Sequence, residues 1–139
     1  MKVVASCLID SGPIIALFNN KDRFHQKLID FMSSFDGRLL TTWPVITESM
    51  HLLSSTSVQL KLLEWIDRGG LQIVNLTIRD IKYIKNRISK YSDLPMDLAD
   101  ASLMCVAERD KLITIISVDS DFSIYRTLTG KFLKNLLPL

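Results

Sequence analysis

Asp10 closes an apolar run, Glu48 and Asp100 fall within helical patterns, and Asp119 and Asp121 follow a second apolar run. An α/β chain brings such residues together at the carboxyl edge of a parallel sheet, where open α/β proteins place their ligand crevice. Carboxylates about 5 Å apart repel by roughly 3 kcal/mol per pair even at an effective dielectric near 20, so a fold that gathers several of them needs a compensating charge. A divalent cation supplies it. Neither His25 nor His51 falls within a zinc motif, and hard oxygen donors suit Mg²⁺ or Mn²⁺. One or two such ions activate water and stabilise the leaving oxygen in an in-line displacement on a phosphodiester.

In that chemistry Asp10 and Asp100 are the expected direct ligands, with Glu48 and Asp119 binding directly or through water. Asp97 and Asp121 are the less central members, and the Ser11 and Ser117 hydroxyls are placed to orient carboxylates. Each acid alone has an ordinary structural reading. An aspartate at a strand end caps the next helix, Glu48 could be a solvated helix residue, and Asp97 is well placed as an N-cap. Asp100 resists that treatment, because it sits in the apolar stretch Leu98-Ala99-Asp100-Ala101-Ser102-Leu103, where an unpartnered charge costs several kcal/mol. It should face a cleft.

The elements that must carry these residues are legible in the hydrophobic pattern. Residues 3–9 form a nearly continuous apolar run, as a strand covered on both faces requires, and Asp10 lies at its carboxyl end. Ser11-Gly12-Pro13 reads as a turn that opens a helix with Ile14, Ile15, Leu17 and Phe18 on its apolar face. Residues 22–35 repeat apolar side chains at helical spacing up to Asp36-Gly37, and a short strand is expected at 39–42. Trp43-Pro44 precedes the helix that holds Glu48, and a second amphipathic pattern ends at Gly69-Gly70. A strand is expected at 71–76, then a capping box at Thr77-Ile78-Arg79-Asp80 and a helix through Tyr91. Residues 96–109 form a mostly apolar helix with Asp97 and Asp100 on one face, and 113–118 form the last strong strand. The tail from Phe122 adds a short helix and an apolar end. Strands alternating with helices predict an α/β fold, a three-layer α/β/α sandwich around a mostly parallel sheet, in a single domain spanning 1–139.

Composition bounds the function classes. The 139 residues suffice for a core without staples, and 47% hydrophobic with 23% charged residues is the balance of a folded domain, neither disordered nor a coiled coil. A net charge of +2 permits a nucleic-acid partner without pointing to one. Lys21, Arg23 and Lys27, or Lys82, Lys85, Arg87 and Lys90, could hold phosphates, although both groups also read as solvated faces. No interleaving of aromatic and basic residues is visible, and Trp43 and Trp65 read as core or dimer residues. Cys7 and Cys105 read as buried small hydrophobes of a reducing compartment. With a poor match to a signal peptide and no apolar stretch near the ~20 residues of a membrane span, a cytoplasmic location with no membrane partner is expected.

The residues resemble the PIN-domain nucleases, and among them the VapC-type toxin branch. The resemblance rests on residues 8–18 (LIDSGPIIALF), Thr47-Glu48, residues 97–103 (DLADASL) and residues 117–122 (SVDSDF), in the family's order and spacing over nearly the whole chain. It implies a three-layer α/β/α fold and a divalent-metal-dependent endoribonuclease that cuts single-stranded or structured RNA. It further implies a homodimer and, for the toxin branch, inhibition by a small antitoxin. Carried over by position, Asp10, Glu48 and Asp100 take the first three acidic places, and Asp119 is the choice for the fourth with Asp121 its rival. Ser117 stands where many relatives have threonine, which keeps the hydroxyl.

Other functions compete on the same residues. A haloacid-dehalogenase phosphatase would want a second aspartate at position 12, where Gly12 removes the general acid. A receiver-like domain would want an acidic pair after the first strand and a lysine after the last, and neither is present. The alternative from another class is a non-catalytic PIN-like scaffold for RNA or protein. Repelling carboxylates retained without a metal would then destabilise the fold for no return.

Overall fold

A computed structural model of the chain describes residues 5–137. Its centre is a five-stranded sheet, all parallel, in the order β3-β2-β1-β4-β5. The strands are β1 (Ala5–Ile9), β2 (Gly37–Thr41), β3 (Gln72–Ile73), β4 (Thr114–Ile116) and β5 (Lys134–Asn135). Six helices flank them: α1 (Ser11–Phe18), α2 (His25–Ser34), α3 (Trp43–Leu52), α4 (Thr56–Asp67), α5 (Ile81–Lys90) and α6 (Leu98–Asp110). This is the three-layer α/β/α arrangement that the alternation of patterns predicts. Among the described residues no helix is long and apolar enough to cross a membrane.

β1 is central, and its apolar run follows from that place. Cys7, Leu8 and Ile9 are wholly buried, facing helices on both sides, as are Ile115 and Ile116 of the neighbouring β4. Val3 and Val4 of the predicted strand lie outside the described residues. In α6 the face-to-face burial of Ala101, Leu103, Met104 and Val106 explains why that helix shows little amphipathic contrast. Cys7 and Cys105 are both buried and unpaired.

Several expectations change in detail. Ser11-Gly12-Pro13 is not a turn but the first turn of α1, with Asp10 as its N-cap accepting from the Ser11 N–H at 2.8 Å. The strand expected at 71–76 shortens to β3, because the Asn75 carbonyl accepts from Arg109 Nη2 at 3.1 Å and the Asp80 carboxylate takes the Thr77 N–H at 2.8 Å. These bonds draw the chain off the sheet into a single 3-10 turn at Ile78–Asp80. The tail is the largest difference. After a 3-10 turn at Asp121–Ser123 the chain returns as β5, which bonds Lys134 N–H to the Ile113 carbonyl at 2.8 Å and is anchored by buried Leu133 and Leu137. The apolar pairs Phe132-Leu133 and Leu136-Leu137 enclose only the two polar residues of this strand, too short a stretch for a period to be read.

Candidate active site

Parallel pairing fixes where the acids meet. Leu8 and Ile9 pair with Ile115 and Ile116, so Asp10 and the segment carrying Asp119 leave the same edge from adjacent strands. The Asp10 N–H bonds the Ile116 carbonyl at 3.1 Å, extending the ladder to the acid itself. At the carboxyl end of β2, buried Thr42 shares a 2.6 Å hydrogen bond with Ser102 Oγ, which ties the start of α3 to α6. That link sets the helix bearing Glu48 against the helix bearing Asp100.

Asp10 is 4% exposed. Burial raises its carboxyl to about 7, with Asp119, Glu48 and Asp97 pushing the same way against the Ser11 N–H that holds it down. Asp100 is pushed up to about 8, again by burial first and then by Asp10, Asp97 and Asp119. Asp119 is more open, yet partial desolvation followed by the charges of Asp121 and Asp97 raises it as well. Glu48 joins the group through the Ser11 hydroxyl, which donates to its Oε2 at 2.6 Å.

Asp97 occupies the N-cap of α6, its Oδ1 accepting from the Asp100 N–H at 2.8 Å, so one oxygen is committed to the helix end. Asp121 neighbours Asp119 and donates its N–H to Asp119 Oδ1 at 2.9 Å. Asp10 and Asp100 feel Asp119, whereas Asp121 acts on Asp119 and Tyr125. Ser117 Oγ accepts from the Asp119 N–H at 3.3 Å and so touches main chain, not a carboxylate as the sequence suggests.

Among the described residues no group of three or more His, Cys, Asp or Glu side chains stands arranged to hold a metal ion. The donor chemistry nevertheless fits a hard cation. The charged groups that perturb Asp10 are all carboxylates, and a cation among them would reverse the protonation that burial and repulsion now favour. Asp10, Glu48, Asp100 and Asp119 are the residues that would hold it.

The sequence model of the PIN domain matches residues 7–128. The chain belongs to the PIN domain family. It is 24% identical over 127 residues to Ribonuclease VapC26 of Mycobacterium tuberculosis, an overlap covering 88% of this chain and 94% of that one. In structure it is similar to Mycobacterium tuberculosis VapC20, described as a sarcin-ricin loop cleaving toxin, with a TM-score of 0.79 at 16% identity over 85% of this chain and 93% of that one. It is also similar to VapBC2 of Rickettsia felis bound to a DNA fragment from its promoter, with a TM-score of 0.65 at 11% identity over 94% and 98% of the two chains. At those identities the structures speak for the fold.

Around the candidate site this PIN domain also places residues that no sequence pattern marks. The Tyr125 hydroxyl lies 3.3 Å from Asp100 Oδ2 and 3.4 Å from the Pro95 carbonyl, and its ring is buried edge-on against Tyr91 and Phe122. Burial first, then the charge of Asp100, raise the phenol pKa and keep it a donor. Asn135 of β5 grips the strand end below Asp119, accepting from Ser117 N–H at 3.2 Å and donating to the Ser117 carbonyl at 2.9 Å. Both residues lie in the tail, whose sequence lacks a period. Two suggestions from sequence are also revised. Arg87 is buried and donates to the Arg126 carbonyl at 2.9 Å, so it is structural and not free for phosphate. Trp43 is half exposed, which removes the core reading for it, while Trp65 packs against Phe18 at 5.7 Å.

Proposed function

We propose that this PIN domain is a divalent-metal-dependent endoribonuclease, hydrolysing RNA phosphodiesters at the edge formed by Asp10, Glu48, Asp100 and Asp119. The observation that carries this reading is Asp10, a buried carboxylate whose perturbing charges are Asp119, Glu48 and Asp97. Mg²⁺ or Mn²⁺ is the cation that hard carboxylate oxygens suit, with Asp97 and Asp121 in reserve at the margin. When bound, the ion supplies stabilisation of the charge that develops on the phosphodiester oxygens and makes water more acidic. The chain's own residues hold the site in shape. Ser11 fixes Glu48, Asp97 anchors the start of α6 beneath Asp100, and Tyr125 orients the Asp100 carboxylate.

The ribonuclease relative and the toxin structures support a role as the toxin of a toxin-antitoxin pair. On this reading the protein acts in the cytoplasm as a single-domain homodimer that a small antitoxin restrains. The test is cleavage of a mixed RNA by the wild type and Asp100→Asn, each with Mn²⁺ and with chelator. Cleavage by wild type alone, abolished by chelator, is the expected result. No cleavage together with no thermal response to Mn²⁺ would instead favour the non-catalytic scaffold.

A further inference from the structure

A cavity of about 400 Å³ opens directly beside the acidic edge, and Asp119 is part of its wall. Its other walls include Arg126, Phe132, Lys134, Ser120 and Asn135. The larger cavity of about 530 Å³ near α1 and α4 contains none of the site acids. Within the smaller one the tail brings together what the linear sequence keeps apart. The Phe132 ring is 58% exposed, and the Arg126 guanidinium carbon sits 5.0 Å from its centroid.

Arg126 is held before any ligand arrives. Its Nη1 donates to the Ser123 carbonyl at 2.7 Å and the Tyr125 carbonyl at 3.1 Å. Its own main chain is fixed from both sides, by Tyr91 Oη accepting its N–H at 2.7 Å and by Arg87 donating to its carbonyl at 2.9 Å. An exposed aromatic ring beside an anchored guanidinium plane is a surface on which a splayed nucleobase stacks. Exposed Lys134 adds a second positive charge on the same wall. The positive charges here stand next to a carboxylate edge that by itself repels phosphate.

We infer that this cavity is a nucleotide subsite for unpaired RNA, with a base stacked on Phe132 and Arg126 and its phosphate held by Arg126 and Lys134, one step along the strand from the acidic edge. The inference rests on the nuclease reading and assigns the residues that hold one nucleotide beside that site. Stacking needs a base released from a helix, so the subsite selects single strands and loops over duplex RNA.

The test measures binding of a short labelled single-stranded RNA of mixed sequence in chelator, where nothing is cut, alongside a strand of equal length with abasic sugars. Phe132→Ala is expected to weaken binding of the RNA roughly tenfold and to leave the abasic strand unaffected. Phe132→Tyr keeps the ring and should bind as wild type does. Lys134→Gln should weaken both strands and lower the salt-dependence slope by about one. Because both side chains are exposed, circular dichroism should show every variant folded. If Phe132→Ala binds RNA as tightly as a wild type that binds and cuts, the subsite is overturned while the nuclease reading stands. A wild type that neither binds RNA nor cuts it with Mn²⁺ overturns both.

Discussion

The Ser11 hydroxyl donates to Glu48 Oε2 at 2.6 Å, joining the first residue of α1 to the middle of α3 across 37 positions of sequence. A short bond to a charged acceptor fixes which way the carboxylate faces. Ser11→Ala removes that restraint and leaves Asp10, the cap of α1 and the core untouched. The expected outcome is a folded protein that melts a few degrees lower, whose Mn²⁺ affinity, read by calorimetry, and RNA cleavage rate both fall by roughly ten- to a hundredfold. Wild-type values for both would remove Ser11 from the machinery.

Asp10 carries two duties that one substitution separates. Its Oδ1 caps α1, and its negative charge is buried among other carboxylates. Asp10→Asn keeps an oxygen for the cap while deleting the charge. In chelator the variant should therefore melt a few degrees above wild type, since each kcal/mol of relief moves a domain of this size by about 3–5 °C. Added Mn²⁺ should raise the wild-type melting temperature and leave the variant where it is. A variant that melts below wild type in chelator would mean that Asp10 is held by favourable partners instead of repelled by its neighbours.

The same raised carboxyls fix the sign of the pH dependence. Asp10 rises to about 7 and Asp100 to about 8, while an unfolded aspartate titrates near 4. Between those values the native state holds more protons than the unfolded chain, so stability contributed by these residues is complete below about pH 4 and is lost as pH climbs to about 8. Asp80 runs the other way: against a burial penalty, the Thr77 N–H and Arg109 lower its pKa, so its contribution exists above about pH 4 and disappears on acidification. Urea unfolding in chelator should show stability falling from mildly acid to neutral pH. With saturating Mn²⁺ that fall should flatten, because the ion replaces protons as the compensating charge.

What the sequence made readable, and what it hid, follows from the length scale of each signal. The central strands announce themselves because burial on both faces demands unbroken apolar runs, and once β1 and β4 are parallel neighbours the meeting of Asp10 with Asp119 is a matter of register. Glu48 and Asp100 could be placed on helices by period alone. What ties their helices together is the buried Thr42–Ser102 bond, a contact between residues 60 positions apart that no local pattern encodes. Beyond residue 120 the chain is held by single contacts instead of by a repeating face: Tyr125 under Asp100, Asn135 around Ser117, Arg126 over Phe132. Asp97 shows the converse, since its position before α6 is equally legible as a cap and as a ligand, and the structure has it capping.

Gly12 illustrates a residue whose type is legible and whose reason is not. As a turn residue it would owe its place to backbone freedom, yet it is helical, and a Cβ built on it would lie 2.4 Å from Val118 Cγ2. Val118 is stiff at χ1 and immediately precedes Asp119, so an added methyl cannot be absorbed by a side-chain swing alone. Gly12→Ala should cost about 1–3 kcal/mol of stability, the usual penalty of overpacking, and should also slow RNA cleavage by displacing Asp119 from Asp10. Val118→Ala in the same chain opens the space again. The double variant should recover most of the cleavage rate and show a favourable coupling in a double-mutant cycle read by urea unfolding. Additive losses would show that the methyl acts on the helix and not through Val118.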